Sequence, residues 1–145
     1  MPLRFASVLA FALMVAGIIW MYSERVLLAR SPAGLALQVG AVLLMLWARI
    51  TFGRRSFHAA ADPTSGGLVT SGPYRFLRHP IYAAATYFVW TAAIDHHTAP
   101  AFAGAVLLAA GAFVRMLAEE RLLVAMYPAY ASYKERTKRI VPFVV

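Results

Sequence analysis

Two long apolar runs near the start of the chain, Phe5–Tyr22 and Ala33–Ile50, restrict the fold more than any other feature. Each has 18 residues, enough for a helix of roughly 27 Å against a bilayer core of about 30 Å. The first follows Arg4 and exceeds the about 7–15 apolar residues of a secretory signal, so it reads as a retained span. The second carries Gln38, a lone amide of the kind that bonds a neighbouring helix, and Arg49 one residue from its end. With 61% hydrophobic residues over 145 positions, the chain is expected to form one all-α integral membrane domain.

Two further spans are expected, Pro80 to about Asp95 and Pro100 to Glu120. The third would cover roughly 24 Å, a little short for the bilayer core. Asp95-His96-His97-Thr98-Ala99-Pro100 reads as an ordinary exposed turn between them. The fourth carries Ala103, Gly104, Ala109, Ala110 and Gly111. Such small residues let helices approach closely, within the bundle or between the subunits of a homo-oligomer. Pro128 breaks this helix, and a polar, aromatic tail follows with Tyr127, Tyr130, Tyr133 and Lys134. Between spans two and three, Arg54, Arg55 and His58 lie on a short polar piece, and Asp62-Pro63-Thr64-Ser65-Gly66-Gly67 is a flexible loop by its residue types.

The net charge of +8 is distributed between apolar spans rather than over one soluble face. Membrane orientation therefore accounts for it, and a nucleic-acid partner does not. With both termini cytoplasmic, 12 of the 14 lysines and arginines fall on the cytoplasmic side, and only Arg25 and Arg30 fall outside. That orientation makes 51–79 a cytoplasmic loop and 121–145 a cytoplasmic tail. The absence of cysteine excludes thiolate catalysis and cysteine-based metal sites, and no metal is expected. No Walker-type loop or G-x-G-x-x-G is present.

The polar stretch Thr70-Ser-Gly-Pro-Tyr-Arg-Phe-Leu-Arg-His-Pro-Ile-Tyr82 stands between the two pairs of spans. Gly72-Pro73 reads as a turn, and Pro80 belongs at the first helical position, with His79 extended before it. A helix therefore opens just after Arg75, Arg78 and His79, which outlines an anion site. A second polar group waits at the end of span four. Arg115 and Glu119 are four apart and share a helix face, with Glu120 turned about 100° away. In the four-span arrangement both groups reach the same membrane surface, and the short hairpin makes spans three and four neighbours.

These residues carry a resemblance. Leu68-Val69-Thr70-Ser-Gly-Pro-Tyr74, Arg78-His79-Pro80-Ile81-Tyr82, Arg115-x-x-x-Glu119-Glu120, Tyr130-x-x-Tyr133 and Arg139-x-x-Pro142 are similar, in order and spacing, to the isoprenylcysteine carboxyl methyltransferase family. The match covers about the last 80 residues and extends to the wider group of small membrane methyltransferases, phospholipid N-methyltransferases included. It implies a cytoplasmic-face pocket for S-adenosyl-L-methionine, built by the 66–82 segment and the end of the fourth helix. Leu68, Val69, Tyr74, His79, Pro80, Ile81, Tyr82 and Glu119 would line it. Arg115 would hold the carboxylate of a lipophilic or membrane-associated acceptor. Two positions after Tyr82, where the family often has glycine, this chain has Ala84.

The implied reaction is methyl transfer by in-line displacement. A carboxylate acceptor needs no base, whereas an amine acceptor does, and Glu120 or His79 would supply it. Two readings compete. Sterol-type membrane reductases carry a similar Arg-His-Pro-x-Tyr segment and use NADPH, and a non-enzymatic membrane subunit would use the basic loop only for orientation.

Overall fold

A computed structural model describes residues 2–53 and 67–142, with residues 2–4 as backbone alone. Arg54, Arg55, His58 and the loop residues 62–66 lie outside the described residues. Five helices are described: α1 (Pro2–Ser23), α2 (Pro32–Phe52), α3 (Pro80–His96), α4 (Ala99–Met126) and α5 (Tyr130–Arg136). Three of them, α1, α2 and α4, are long and apolar enough to cross a membrane. Helix α3 has 17 residues, roughly 25 Å, and falls short of a full bilayer core. Helix α4 runs six residues beyond Glu120, to Met126. Nothing in the sequence stops it until Tyr127 turns extended ahead of Pro128. The tail is not simply irregular, since α5 forms within it.

The helices pack in the order α1, α4, α3, α2. Helices α1 and α4 run antiparallel at close approach, and glycines set the distance. A Cβ on Gly111 would lie 2.4 Å from the Ala10 carbonyl oxygen, and one on Gly17 would lie 2.7 Å from that of Gly104. Trp20 Nε1 donates to the Pro100 carbonyl at 3.0 Å and ties the far ends of the same pair. Between them lies a core of Met14, Met21, Ala105, Leu108 and Ala112, continued by Val89, Ala92 and Ala93 of α3. The outer faces of α1 and α2 expose Leu9, Ile19, Leu37, Leu43 and Ile50, as expected where lipid replaces water as the solvent.

The α3–α4 turn departs from the expected exposed loop. His97 takes the left-handed conformation at φ 52° and is exposed, but His96 is buried, its Nε2 2.8 Å from the Leu28 carbonyl oxygen. Asp95 accepts from the Arg30 and Ser31 backbone N–H groups and from the Ser31 hydroxyl. Ser31 in turn caps α2 by accepting from Gly34 N at 3.0 Å. Gln38 does what its position in an apolar helix predicts. Its amide nitrogen donates to the carbonyls of Leu27 (2.9 Å) and Phe88 (3.1 Å), and its oxygen accepts from Ala29 N.

Candidate active site

The segment before α3 is shaped by a 3₁₀ turn at Gly72–Arg75. Gly72 sits at φ 55°, and a Cβ there would meet Thr51 Oγ1 at 2.6 Å, so only glycine lets the turn press against the end of α2. Tyr74 then packs on Phe52 of α2 with ring centroids 5.4 Å apart. Burial holds the Tyr74 phenol above its ordinary pKa, and the charges of Tyr133 and Glu119 add to the effect. Pro80 opens α3 after a non-helical His79.

The C-terminal residues clasp this segment. Leu77 bridges to Lys138 in parallel, Arg78 N donates to the Lys138 carbonyl (2.6 Å), and His79 N donates to that of Arg139 (3.0 Å). The Tyr133 hydroxyl donates to the Tyr74 carbonyl at 2.7 Å, and the Tyr87 hydroxyl to that of Ile140. The expected anion site is therefore reduced. Two backbone donors at the approach to α3 are consumed by the chain's own carbonyls, and Pro80 has none.

One polar cluster gathers Tyr82, Arg115, Glu119 and His79. Arg115 Nε donates to the Tyr82 hydroxyl at 2.7 Å, and that hydroxyl donates to Glu119. Arg115 also reaches Glu119 and the Ser7 carbonyl, each at 3.4 Å. Its guanidinium carbon lies 5.2 Å from the Phe11 ring centre and 5.8 Å from that of Tyr82. His79 Nδ1 is 3.6 Å from the second Glu119 oxygen. Arg115 is 4% exposed, whereas the Glu119 side chain is 24% exposed. Glu119 is the open carboxylate of the cluster.

Glu120 faces a different set of partners. Its Oε1 takes Arg78 Nε at 3.0 Å, Arg139 Nε at 3.2 Å and His79 Nε2 at 3.3 Å, and its Oε2 takes an Arg139 terminal nitrogen at 3.1 Å. Arg78 also donates to the carbonyls of Lys134 and Thr137. With both oxygens engaged by neighbouring nitrogens, Glu120 ties α4, the motif and the C-terminal strap together.

Among the residues the sequence singles out, Tyr82, His79, Arg115 and Glu119 come together in one cluster. Tyr74 lies beside them, near enough to feel the Glu119 charge. Pro80 is buried at the start of α3, and Ile81, Leu68 and Val69 are half-buried, the last two in an irregular stretch. Sequence reasoning missed Ser7 and Phe11. Both lie in an apolar span whose residues carry no polar signal, and only the pairing of α1 with α4 brings them to Arg115.

An apolar groove of about 250 Å³ continues below the cluster, between α1 and α2, with Ala84 and Ala85 of α3 and Leu108 of α4 on its floor. Ile18 and Leu108 line it and stand seven residues from Phe11 and Arg115 along their helices. Seven residues return to the same helix face roughly 10 Å deeper. The polar cluster therefore caps an apolar groove running inward.

Three helices long and apolar enough to cross a membrane, with hydrocarbon side chains on their outer faces, mark a membrane protein. A family model for phospholipid methyltransferase matches residues 29–130. The chain belongs to the phospholipid methyltransferase family and is a membrane methyltransferase. No curated protein and no solved structure matches it significantly.

Proposed function

We propose that this protein transfers a methyl group from S-adenosyl-L-methionine to the polar head of a lipophilic acceptor at the cytoplasmic face, the acceptor being a phospholipid amine. The observation that carries this is the open carboxylate of Glu119 beside Tyr74, Tyr82 and His79, set above an apolar groove. The site belongs to a four-span arrangement in which α3 crosses a thinned bilayer and both termini are cytoplasmic.

The donor set suits the cofactor. Glu119 offers acceptor oxygens to a ribose diol or an ammonium, half-buried Leu68, Val69 and Ile81 offer apolar walls to a purine, and buried Tyr74 an aromatic one. When bound, the cofactor supplies a methyl group on a positively charged sulfur. The chain's own residues orient and desolvate. Tyr82 bridges Arg115 and Glu119 and so holds both charges in register. Arg115, the buried cation of the cluster, meets the phosphate of the acceptor, and the groove takes its hydrocarbon. As a bound neutral amine took the methyl group and the sulfur–methyl bond broke to leave a neutral thioether, the His79–Glu119 pair would take the proton released by the amine. Glu120 is too fully engaged to act as that base.

A second reading is a carboxylate acceptor held by Arg115, favoured by the planar guanidinium in a site of low exposure. One experiment separates the two. Purified protein is incubated with methyl-labelled cofactor and vesicles made from native membrane lipid, and the labelled lipid is treated with alkali. Alkali-stable label supports an amine acceptor, release as methanol supports a carboxylate, and no label in lipid overturns both.

A further inference from the structure

Arg115 is held from α1 as well as from α3 and α4. Ser7 is fully buried, and its carbonyl faces the guanidinium at 3.4 Å. Phe11, one turn further along the same face, brings its ring centre to 5.2 Å from the guanidinium carbon. That is within the range of a cation–π contact. The glycine-set approach of α1 to α4 fixes the level of both residues, because the Ala10 carbonyl lies against Gly111. Helix α1 lies outside the family-matched residues 29–130. The Phe11 side chain has little other reason to be aromatic. At 40% exposure it is a minor part of the core, and any apolar residue would serve a lipid-facing position.

We propose that Phe11 is a positioning residue for Arg115: its ring fixes the plane in which the guanidinium presents its donors to the anionic part of the acceptor. Tyr82 holds the guanidinium through Nε, and Phe11 limits rotation on the α1 side. The effect on methyl transfer rests on the function proposed above, whereas the effect on Arg115 itself does not. Loss of the ring removes the aromatic face packed on the guanidinium from α1 without touching Glu119, so it changes acceptor use and spares the cofactor.

The test compares the wild type with Phe11→Leu, which keeps an apolar side chain of similar size, and Phe11→Tyr, which keeps the ring. Arg115 reactivity is followed with phenylglyoxal by peptide mass spectrometry in detergent. Binding of S-adenosylhomocysteine and methyl transfer to native-lipid vesicles are measured alongside. Phe11→Leu is expected to raise Arg115 modification at least threefold and to raise the KM for acceptor lipid at least fivefold. Phe11→Tyr is expected to stay within twofold of wild type in both, and all three proteins to bind S-adenosylhomocysteine within twofold of one another. Wild-type Arg115 reactivity in Phe11→Leu, or equal damage from Phe11→Tyr, overturns the proposal. If the wild type itself transfers no methyl group to lipid, the proposed function fails, and Arg115 reactivity still decides the role of Phe11.

Discussion

Arg78 and Glu120 meet at 3.0 Å across 42 positions of sequence, their side chains 8% and 6% exposed, on opposite sides of the boundary between motif and bundle. Their contact is the centre of a group that also holds His79 and Arg139. Removing Glu120 would leave Arg78 and His79 buried without their shared carboxylate. Glu120→Ala is expected to cost about 3–5 kcal/mol, the range for breaking a buried pair. The more exposed Arg139, replaced by alanine, is expected to cost about 1 kcal/mol or less. Thermal unfolding in detergent checks the order, and equal losses would place the weight of the group on the strap instead.

Glu119 and Arg115 should separate cofactor from acceptor. Glu119→Gln is expected to weaken binding of S-adenosylhomocysteine by about 1.5–3 kcal/mol, as for a hydrogen bond to a charged group. Arg115→Lys is expected to leave that affinity nearly unchanged and to cut methyl transfer strongly, because an ammonium does not reproduce a planar, forked donor. Calorimetric titration of both variants decides it, and equal small effects would reduce the two residues to a helix-end ion pair.

The glycine seam makes a graded prediction. A Cβ at Gly111 presses on backbone, at 2.4 Å from the Ala10 carbonyl oxygen, whereas one at Gly104 meets the flexible Met21 side chain at 2.2 Å. Gly111→Ala is therefore expected to destabilise by about 1–3 kcal/mol, the usual cost of overpacking. Gly104→Ala should cost less because Met21 can re-orient. Unfolding midpoints in detergent give the ranking, and a reversed order would contradict the α1–α4 register described above.

Some of this was legible in the sequence and some was not, for physical reasons. The start of α3 at Pro80, the turn at Gly72-Pro73 and the shared face of Arg115 and Glu119 follow from local rules of backbone geometry and helix spacing. The burial of His96 and the capping of the α1–α2 connection by Asp95 depend on residues more than 60 positions away, and no local pattern carries them. The donors of Arg78 and His79 looked available because the tail read as polar and irregular. Its carbonyls in fact return to them. Helix α4 outran the expected span because bilayer thickness limits the buried part of a helix, not its length.

Alkaline pH should loosen the tail. Burial pushes the Tyr133 phenol up to about 12, against about 10 in an unfolded chain. Between those values the folded state keeps a proton that the unfolded state has lost. Stability from this group is therefore full below about pH 10 and is lost as pH rises towards about 12. Tyr133→Phe is expected to flatten that loss and to cost about 1 kcal/mol at neutral pH through the missing bond to the Tyr74 carbonyl. Proteolytic sensitivity of residues 127–142 against pH reads both, and an unchanged profile in the variant would exclude Tyr133 as the cause.

The four-span proposal predicts reporter signals. A reporter fused after Val145 is expected to be cytoplasmic, and one inserted at Asp95–Thr98 external, from the 12 basic residues on one side and two on the other. A cytoplasmic signal from the 95–98 turn would leave α3 as a re-entrant helix.

Because the strand-like pairing of Leu77–His79 is with Lys138–Arg139, the polar cluster has no finished wall until Arg139 has been made. The spans can enter the bilayer one after another while Arg78, His79 and Glu120 still lack their last partner. Assembly and competence are thus ordered in time. A polypeptide halted between Arg136 and Lys138 has every described helix and still lacks the clasp around the motif, so a ribosome that stops there releases a bundle whose polar cluster is left open.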